Sequence, residues 1–538
     1  MRMSRMLLAG MALAGLGACS GGGVDLNVST VDNSVNNSVN QGGGGANNPC
    51  ASYTPPNSNQ PVQGTFDGTN CVYGSNFVGA SNPLLVNLTI PFITGKHIFQ
   101  DSLFVGQNVT SGAAPAGGTG PVLTVAAGNT LVFQDAADYV LINRGSQIVA
   151  NGSPTAPITF TSFTDAITGT AGANDVQQWG GLVINGNGIT NNCSDAERAG
   201  NLCHVVSEGQ PSNYGGNDNA DNSGILRYVI VKHTGFEVAP GDELNGITFN
   251  AVGSGTVVEN VQVYSTYDDG LEFFGGAVNV NNVVVLFARD DSLDYSDGYV
   301  GTIDTALVIQ WQTDGNRCIE GDNIGEGRAL AGVPLDTAPL THPTVRNMTC
   351  ILSNQDLSAG GTHDDSEGPT MRRGAKLILE NSLIYSGYGS TVTARTSNEC
   401  YEIDDNDNVS RNFASANADF RVTNTVIACE NEPTKDNLAN GDPIREWFLG
   451  ANPSTNGANY SFNTGNFIID GANVTDPDTR VLIPGTFYTA ASIVDANGVT
   501  LVADASGLGA VQQNDDWTAP WAFGLRPSNA DVPLWFAP

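Results

Sequence analysis

The chain has 538 residues, and its 21 Lys and Arg stand against 54 Asp and Glu, a net charge of −33. That balance excludes a protein that coats DNA or RNA, which needs a positive surface to displace phosphate counterions, and a polybasic membrane-surface binder. At 40% hydrophobic the chain can bury a large core, while 65 Gly, 25 Pro and sparse charge favour strands and turns over helices.

Residues 1–18 read as an export leader: Arg2 and Arg5, the apolar Met6–Leu16, then Leu16-Gly17-Ala18-Cys19. Those last four residues resemble the bacterial lipobox, which makes Cys19 the lipidated first residue of the mature chain. No Asp stands next to Cys19, and the resemblance to lipoprotein sorting rules then implies the outer membrane, cell surface or release from it. No other stretch approaches ~18 uninterrupted apolar residues, so membrane lipid reached through Cys19 is the expected attachment. Cleavage removes Arg2 and Arg5 and leaves 19 basic against 54 acidic residues, −35. Residues 19–48, rich in Gly, Asn and Ser, predict a tether, and residues 49–84 a small disulfide-clipped segment. Eight further cysteines in an exported chain predict disulfides. The expected pairs are neighbours in sequence: Cys50–Cys71, Cys193–Cys203, Cys318–Cys350 and Cys400–Cys429.

The middle of the chain repeats. Segments starting at Val258, Val280 and Ile303 align at offsets of 22 and then 23 residues, each an apolar strand, an acidic turn, a short second strand and a closing Gly. Units this short cannot bury their own apolar faces, so they stack, and without helices between strands they stack as a parallel β-helix. Weaker copies extend the pattern over residues 85–470, room for about 12–16 coils at ~23 residues each. The "strand, Asn, strand" signature of Lys376–Tyr385 and Arg421–Cys429 predicts Asn ladders at turns. Residues 187–224, 387–418 and 431–456 read as insertions, His233 as a turn residue, and residues 471–538, with Trp517, Trp521, Phe523, Trp535 and Phe536, as a C-terminal cap.

The ordered run Trp179-Gly-Gly-Leu-Val-Ile, Tyr214-Gly-Gly-Asn-Asp, Glu243-Leu-Asn-Gly-Ile-Thr-Phe and Asp268-Asp-Gly-Leu-Glu-Phe-Phe-Gly-Gly276 resembles a family of bacterial outer-membrane or secreted lipoproteins. The resemblance covers residues 122–373. It implies an all-β, right-handed parallel β-helix and an envelope location, and it brings no catalytic residues. Some relatives resemble type II secretion substrates released when phosphate is limiting.

The candidate chemistry is that of carboxylates. The repeat stacks Asp269, Asp291 and Asp314, then Glu272, Asp294 and Arg317, then Gly275, Asp297 and Glu320. If Leu271, Leu293, Phe273 and Tyr295 point inward, alternation turns Glu272, Asp294 and Arg317 outward as one row. Three readings stay open. One is a solvated acidic face. A second is calcium held by Asp268, Asp269, Asp290, Asp291, Asp294, Asp297, Glu320 and Asp322. The third is acid/base cleavage of a polysaccharide by Asp269, Glu272, Asp291 or Asp294, because rungs ~4.8 Å apart approximate the retaining and, two rungs on, the inverting carboxyl spacing. The His363, Asp364, Asp365 and Glu367 group offers a metal-ligand set beside its reading as an acidic loop. Arg372 and Arg373 are candidates to grip an anion, or to pair with that loop. The leading expectation is a non-catalytic envelope protein that binds extracellular polysaccharide or another envelope protein in adhesion or nutrient acquisition. The rival is a polysaccharide hydrolase or lyase.

Overall fold

The computed structural model describes residues 48–209, 212–239, 241–310, 315–352, 366–386, 399–404, 408–416, 418–429, 433–469, 482–483, 486–495 and 497–526. Cys19, Asp314, His363, Asp364, Asp365, Trp535 and Phe536 lie outside them. Among the described residues no helix is long and apolar enough to cross a membrane.

The unit of the fold is one long bent strand followed by one short strand. Gly224–Thr234, Val257–Thr266, Asn279–Ala288, Thr302–Ile309 and Thr344–Leu352 are successive long strands, each paired in parallel with the next. Each bends at a residue with positive φ: Tyr228, Asn260, Asn282, Thr305 and Asn347 stack in register at this bend. Asn381 and Asn424 continue the positive-φ positions on the next two rungs. Asn is the non-glycine residue that tolerates this backbone best, so the Asn ladder has a conformational cause. Its amides also touch between rungs, Asn282 Nδ2 donating to Asn260 Oδ1 at 3.3 Å.

The short strands form a second parallel sheet of nine, from Leu103–Val105 through Leu271–Phe274, Leu293–Ser296 and Arg317–Asp322 to Glu402–Ile403. Long and short strands alternate along the chain and enclose one apolar core in which Val261, Val283, Ala306, Leu271, Phe273 and Leu293 are buried. This is a parallel β-helix, and its right-handed sense is the one that parallel crossovers take. Among the described residues the short-strand sheet has nine strands and the bent sheet runs over twelve rungs, from Cys71–Tyr73 to Phe467–Ile468, joined by connections of unequal length. The 187–224 insertion, for example, carries the short helix Asp195–Ala199 and two short hairpin strands.

All eight cysteines after Cys19 form the four neighbour disulfides, 50–71, 193–203, 318–350 and 400–429. The 431–456 segment, expected as an insertion, closes the end of the core: Ile444, Trp447 and Phe448 of the helix Ile444–Phe448 pack with Tyr401, Phe420 and Val422. The C-terminal segment is also a cover, and what it covers is a flank. Phe487, Leu508, Val511, Trp521 and Leu525 bury the outward side chains Tyr264, Val284, Leu286, Leu307, Ile309 and Ile351.

Candidate functional site

Alternation on the nine-stranded sheet sets the site. Leu271, Phe273, Leu293 and Tyr295 point into the core and are fully buried, so Glu272 and Asp294 point out. The outward row runs Thr248, Glu272, Asp294, Glu320, Thr370 and Glu402 on successive rungs. Glu320, not Arg317, therefore follows Asp294. The 22- and 23-residue offsets hold on the bent sheet, where Val261 pairs with Val283 and Val283 with Ala306. The connection after Ile309 takes three residues more, which slides the next short strand along.

Beside the row runs a ladder of turn side chains. Asn245 Oδ1 accepts from the Asp269 N–H at 3.0 Å, Asp269 Oδ1 from Asp291 N–H at 2.9 Å, and Asp291 Oδ1 from Arg317 N–H at 2.8 Å. Each acidic side chain thus replaces a backbone acceptor at the turn, and its second oxygen stays available. Three groups of carboxylates bring ligand oxygens within 4.8 Å of one another: Asp268, Asp269 and Asp290; Asp269, Glu272 and Asp294; Asp291, Asp294 and Glu320. Asp294 belongs to two of them, and its Oδ1 is buried with no hydrogen-bond partner among the described residues.

The site is not a solvated face. Asp269, Glu272, Asp291 and Glu320 are buried. Burial, reinforced by neighbouring carboxylates, raises the pKa values of Asp268, Asp269, Glu272, Asp291 and Asp294 well above the ordinary range. Glu320 is pushed up to about 7, again chiefly by burial, with Arg317 and Arg372 opposing. Glu208, from the disulfide-clipped insertion, shares a hydrogen bond with Glu272 and is also raised to about 7 by burial. Crowded carboxyl groups without water must either keep protons or share a cation.

Two of the expected metal ligands stand apart. Asp297 pairs with Arg328 at 3.0 Å and accepts from Asn192 Nδ2. Asp322 is gripped by Arg372 at 3.1 Å and by Arg373. The two arginines expected to hold an anion are engaged by the protein's own carboxylates: Arg372 also pairs with Glu320, and Arg373 with Glu326 at 3.3 Å. Arg317 pairs with Glu320 at 2.8 Å and reaches Glu367 at 3.6 Å. Glu208 and Asn245 escaped the sequence reading. Glu208 sits in an insertion with no periodicity to place it, whereas Asn245 precedes the apolar strand Ile247–Asn250 as Asp269 precedes Leu271, a signal that was there to read.

Each of the three groups brings three carboxylate oxygens together, the hard oxygen donors that a cation such as calcium takes. No curated protein and no solved structure matches the chain. A family model described as a pectate-lyase-like β-helix domain matches residues 114–452, which include the carboxylate row, its ladder and most of the bent strands. With the match spanning more than half of the chain and the parallel coils present throughout it, this protein belongs to the pectate-lyase-like β-helix family.

Proposed function

We propose that this chain is an exported, lipid-anchored β-helix of the outer membrane that binds extracellular polysaccharide at the outer face of its nine-stranded sheet, with calcium held by the carboxylate row. The observation that carries the reading is Asp294: one outward residue shared by two carboxylate groups, with an oxygen that no donor among the described residues reaches. Asp268, Asp269, Glu272, Asp290, Asp291 and Glu320 are the other residues that would hold the ion. A calcium ion bound there would supply positive charge, to which hydroxyl and carboxylate oxygens of a polymer would be drawn. The anchor rests on the Leu16–Cys19 motif, and the polymer class on family membership.

The leaning toward binding rests on the arginines. Arg317, Arg372 and Arg373 each engage carboxylates, so the cations nearest the row serve to hold it together. A polysaccharide lyase or hydrolase is the second reading, favoured by carboxyl groups such as Glu320 whose pKa lies near neutrality, where a group can both give and take a proton.

Calorimetry of the mature chain tests the first reading. A chelator is expected to lower the melting temperature by several degrees, since an ion at a hundred times its Kd adds about 2.7 kcal/mol. Calcium restores the loss, and sodium chloride at equal ionic strength does not; equal rescue by sodium would reduce the effect to screening. Asp294→Asn is expected to abolish the calcium response together with polymer retention on acidic glycan arrays. Release of reducing ends or of ultraviolet-absorbing unsaturated products, lost in Asp294→Asn, would move the protein to the enzyme reading.

A further inference from the structure

A cavity of 240 Å³ lies beneath the insertion clipped by Cys193–Cys203, and its wall shares no residue with the carboxylate row. Arg144, which follows the strand Val140–Ile142, forms its inner wall and is 3% exposed. Nη1 donates to the carbonyls of Cys203 at 3.0 Å and Gly215 at 2.6 Å. Nη2 donates to Val109 O at 2.5 Å and to His204 Nδ1 at 2.7 Å. A guanidinium carries five N–H donors, and these contacts use four. The fifth, on Nε, is buried with no partner among the described residues. A buried donor without an acceptor is costly, and an oxygen brought by a ligand relieves it.

The rest of the wall identifies the ligand's chemistry. Arg198 is held by Thr190 O at 2.8 Å and by Asp195. Opposite these cations stand two carboxylates. Asp221 is buried and accepts from the Asn187 N–H at 2.9 Å and Nδ2 at 3.3 Å. Asp218 is exposed at the rim, one oxygen accepting from Ala220 N–H at 2.9 Å and the other lacking a hydrogen bond to the described protein. Two guanidinium groups against two carboxylates leave the wall without net charge, which gives neither a bare anion nor a bare cation an advantage. What the wall offers is one donor and several acceptor positions, matched to a neutral molecule whose hydroxyls both donate and accept. The volume lies below the roughly 300–1,000 Å³ that drug-sized ligands occupy and is sized for one small ring.

We propose that this cavity is a second ligand site, for a single neutral sugar ring, with Arg144 Nε–H donating to one hydroxyl and Asp218 accepting from another. It is independent of calcium and of the carboxylate row.

The test uses the mature chain in chelator, which silences calcium-dependent binding at the row. Ligand-observed NMR and calorimetric titration are run with glucose, galactose, mannose, xylose and rhamnose, with galacturonate and inorganic phosphate as charged probes. At least one neutral sugar is expected to bind with a millimolar Kd, as a single ring with few anchors does. Ala114→Leu fills the cavity from a partly exposed wall position, outside the Arg144 hydrogen bonds. It is expected to weaken that sugar by about tenfold or more, with the melting temperature unchanged; Asp218→Asn weakens it by less. Three results overturn the proposal: no neutral sugar binds, only galacturonate or phosphate binds, or both variants bind the sugar as the unmodified chain does.

Discussion

Asp269 and Asp291 each commit one carboxylate oxygen to the backbone N–H of the next rung and leave the other toward the cluster. The two roles separate by substitution. Asp269→Asn keeps the Oδ1 acceptor and removes a charge from a crowded, buried group. It is expected to stabilise the protein in chelator and to shrink the increment that calcium adds. Asp269→Ala removes the acceptor, orphans the Asp291 N–H and is expected to cost about 1–3 kcal/mol with or without calcium. Urea denaturation of both variants in the two buffers checks the pair. A second residue ties stability to pH. His97 is fully buried, receives a hydrogen bond from Tyr73 OH at Nδ1 and faces Pro91 O with Nε2. Burial lowers its pKa to about 4, against the opposing pull of Pro91 and Asn129. The unfolded chain therefore takes up this proton first as pH falls, and the native state loses roughly 3 kcal/mol between about pH 6.5 and 4. His97→Gln is expected to flatten that slope relative to the unmodified chain. The Asp and Glu of the ladder and row were legible because they recur with the repeat; Glu208, which adds its charge and a hydrogen bond at Glu272, comes from an insertion that no repeat announces.

The bent strand is the element that the sequence announces best. An Asn between two apolar runs marks a left-handed backbone position that few other residues accept, and it recurs at Asn260, Asn282, Asn347, Asn381 and Asn424. Thr305 breaks the series with φ 63°, a poor place for a β-branched side chain. Thr305→Asn is expected to gain about 1 kcal/mol, read as a higher urea midpoint at unchanged slope. Asn282→Val should lose a comparable amount. The short strands are less legible because the core constrains their inward residues and leaves the connecting turns free to vary. That freedom is why the Glu272 and Asp294 pairing followed from the repeat, and the Asp294 and Glu320 pairing did not. One signal was passed over. Val283-Val284-Val285-Leu286 and Ala306-Leu307-Val308-Ile309 do not alternate with polar residues, which means that both faces of these strands are covered.

The cover is the C-terminal segment, and it changes how the whole molecule holds together. In a plain solenoid each rung touches only its neighbours, so stability adds locally and rungs can unzip from an end. Here Gly509 N–H donates to Asn381 O and Ala510 N–H to Thr349 Oγ1, while Phe523 exchanges two 2.8 Å hydrogen bonds with Gln262. Trp521 packs edge-on against Tyr228, and Phe523 lies 3.7 Å from the Lys232 ammonium. Rungs from Tyr228 to Asn381 are thereby tied along one flank. Trp521→Ala is expected to cost about 3–5 kcal/mol, to broaden the calorimetric transition toward separate steps, and to raise the binding of a hydrophobic dye. A narrow transition at the original temperature would show that the segment is ornamental to stability.

The segment also follows every rung that it braces, Phe523 standing 261 positions after Gln262. Coils can form in order along the chain, since each needs only the one before it, but the flank of Val284, Leu286, Leu307 and Ile309 stays greasy and open until the C-terminal segment docks. Completion thus waits for the last segment to dock: a chain cut short anywhere before the brace is a stack of finished coils with a sticky side, the form that chaperones are built to recognise and proteases to clear.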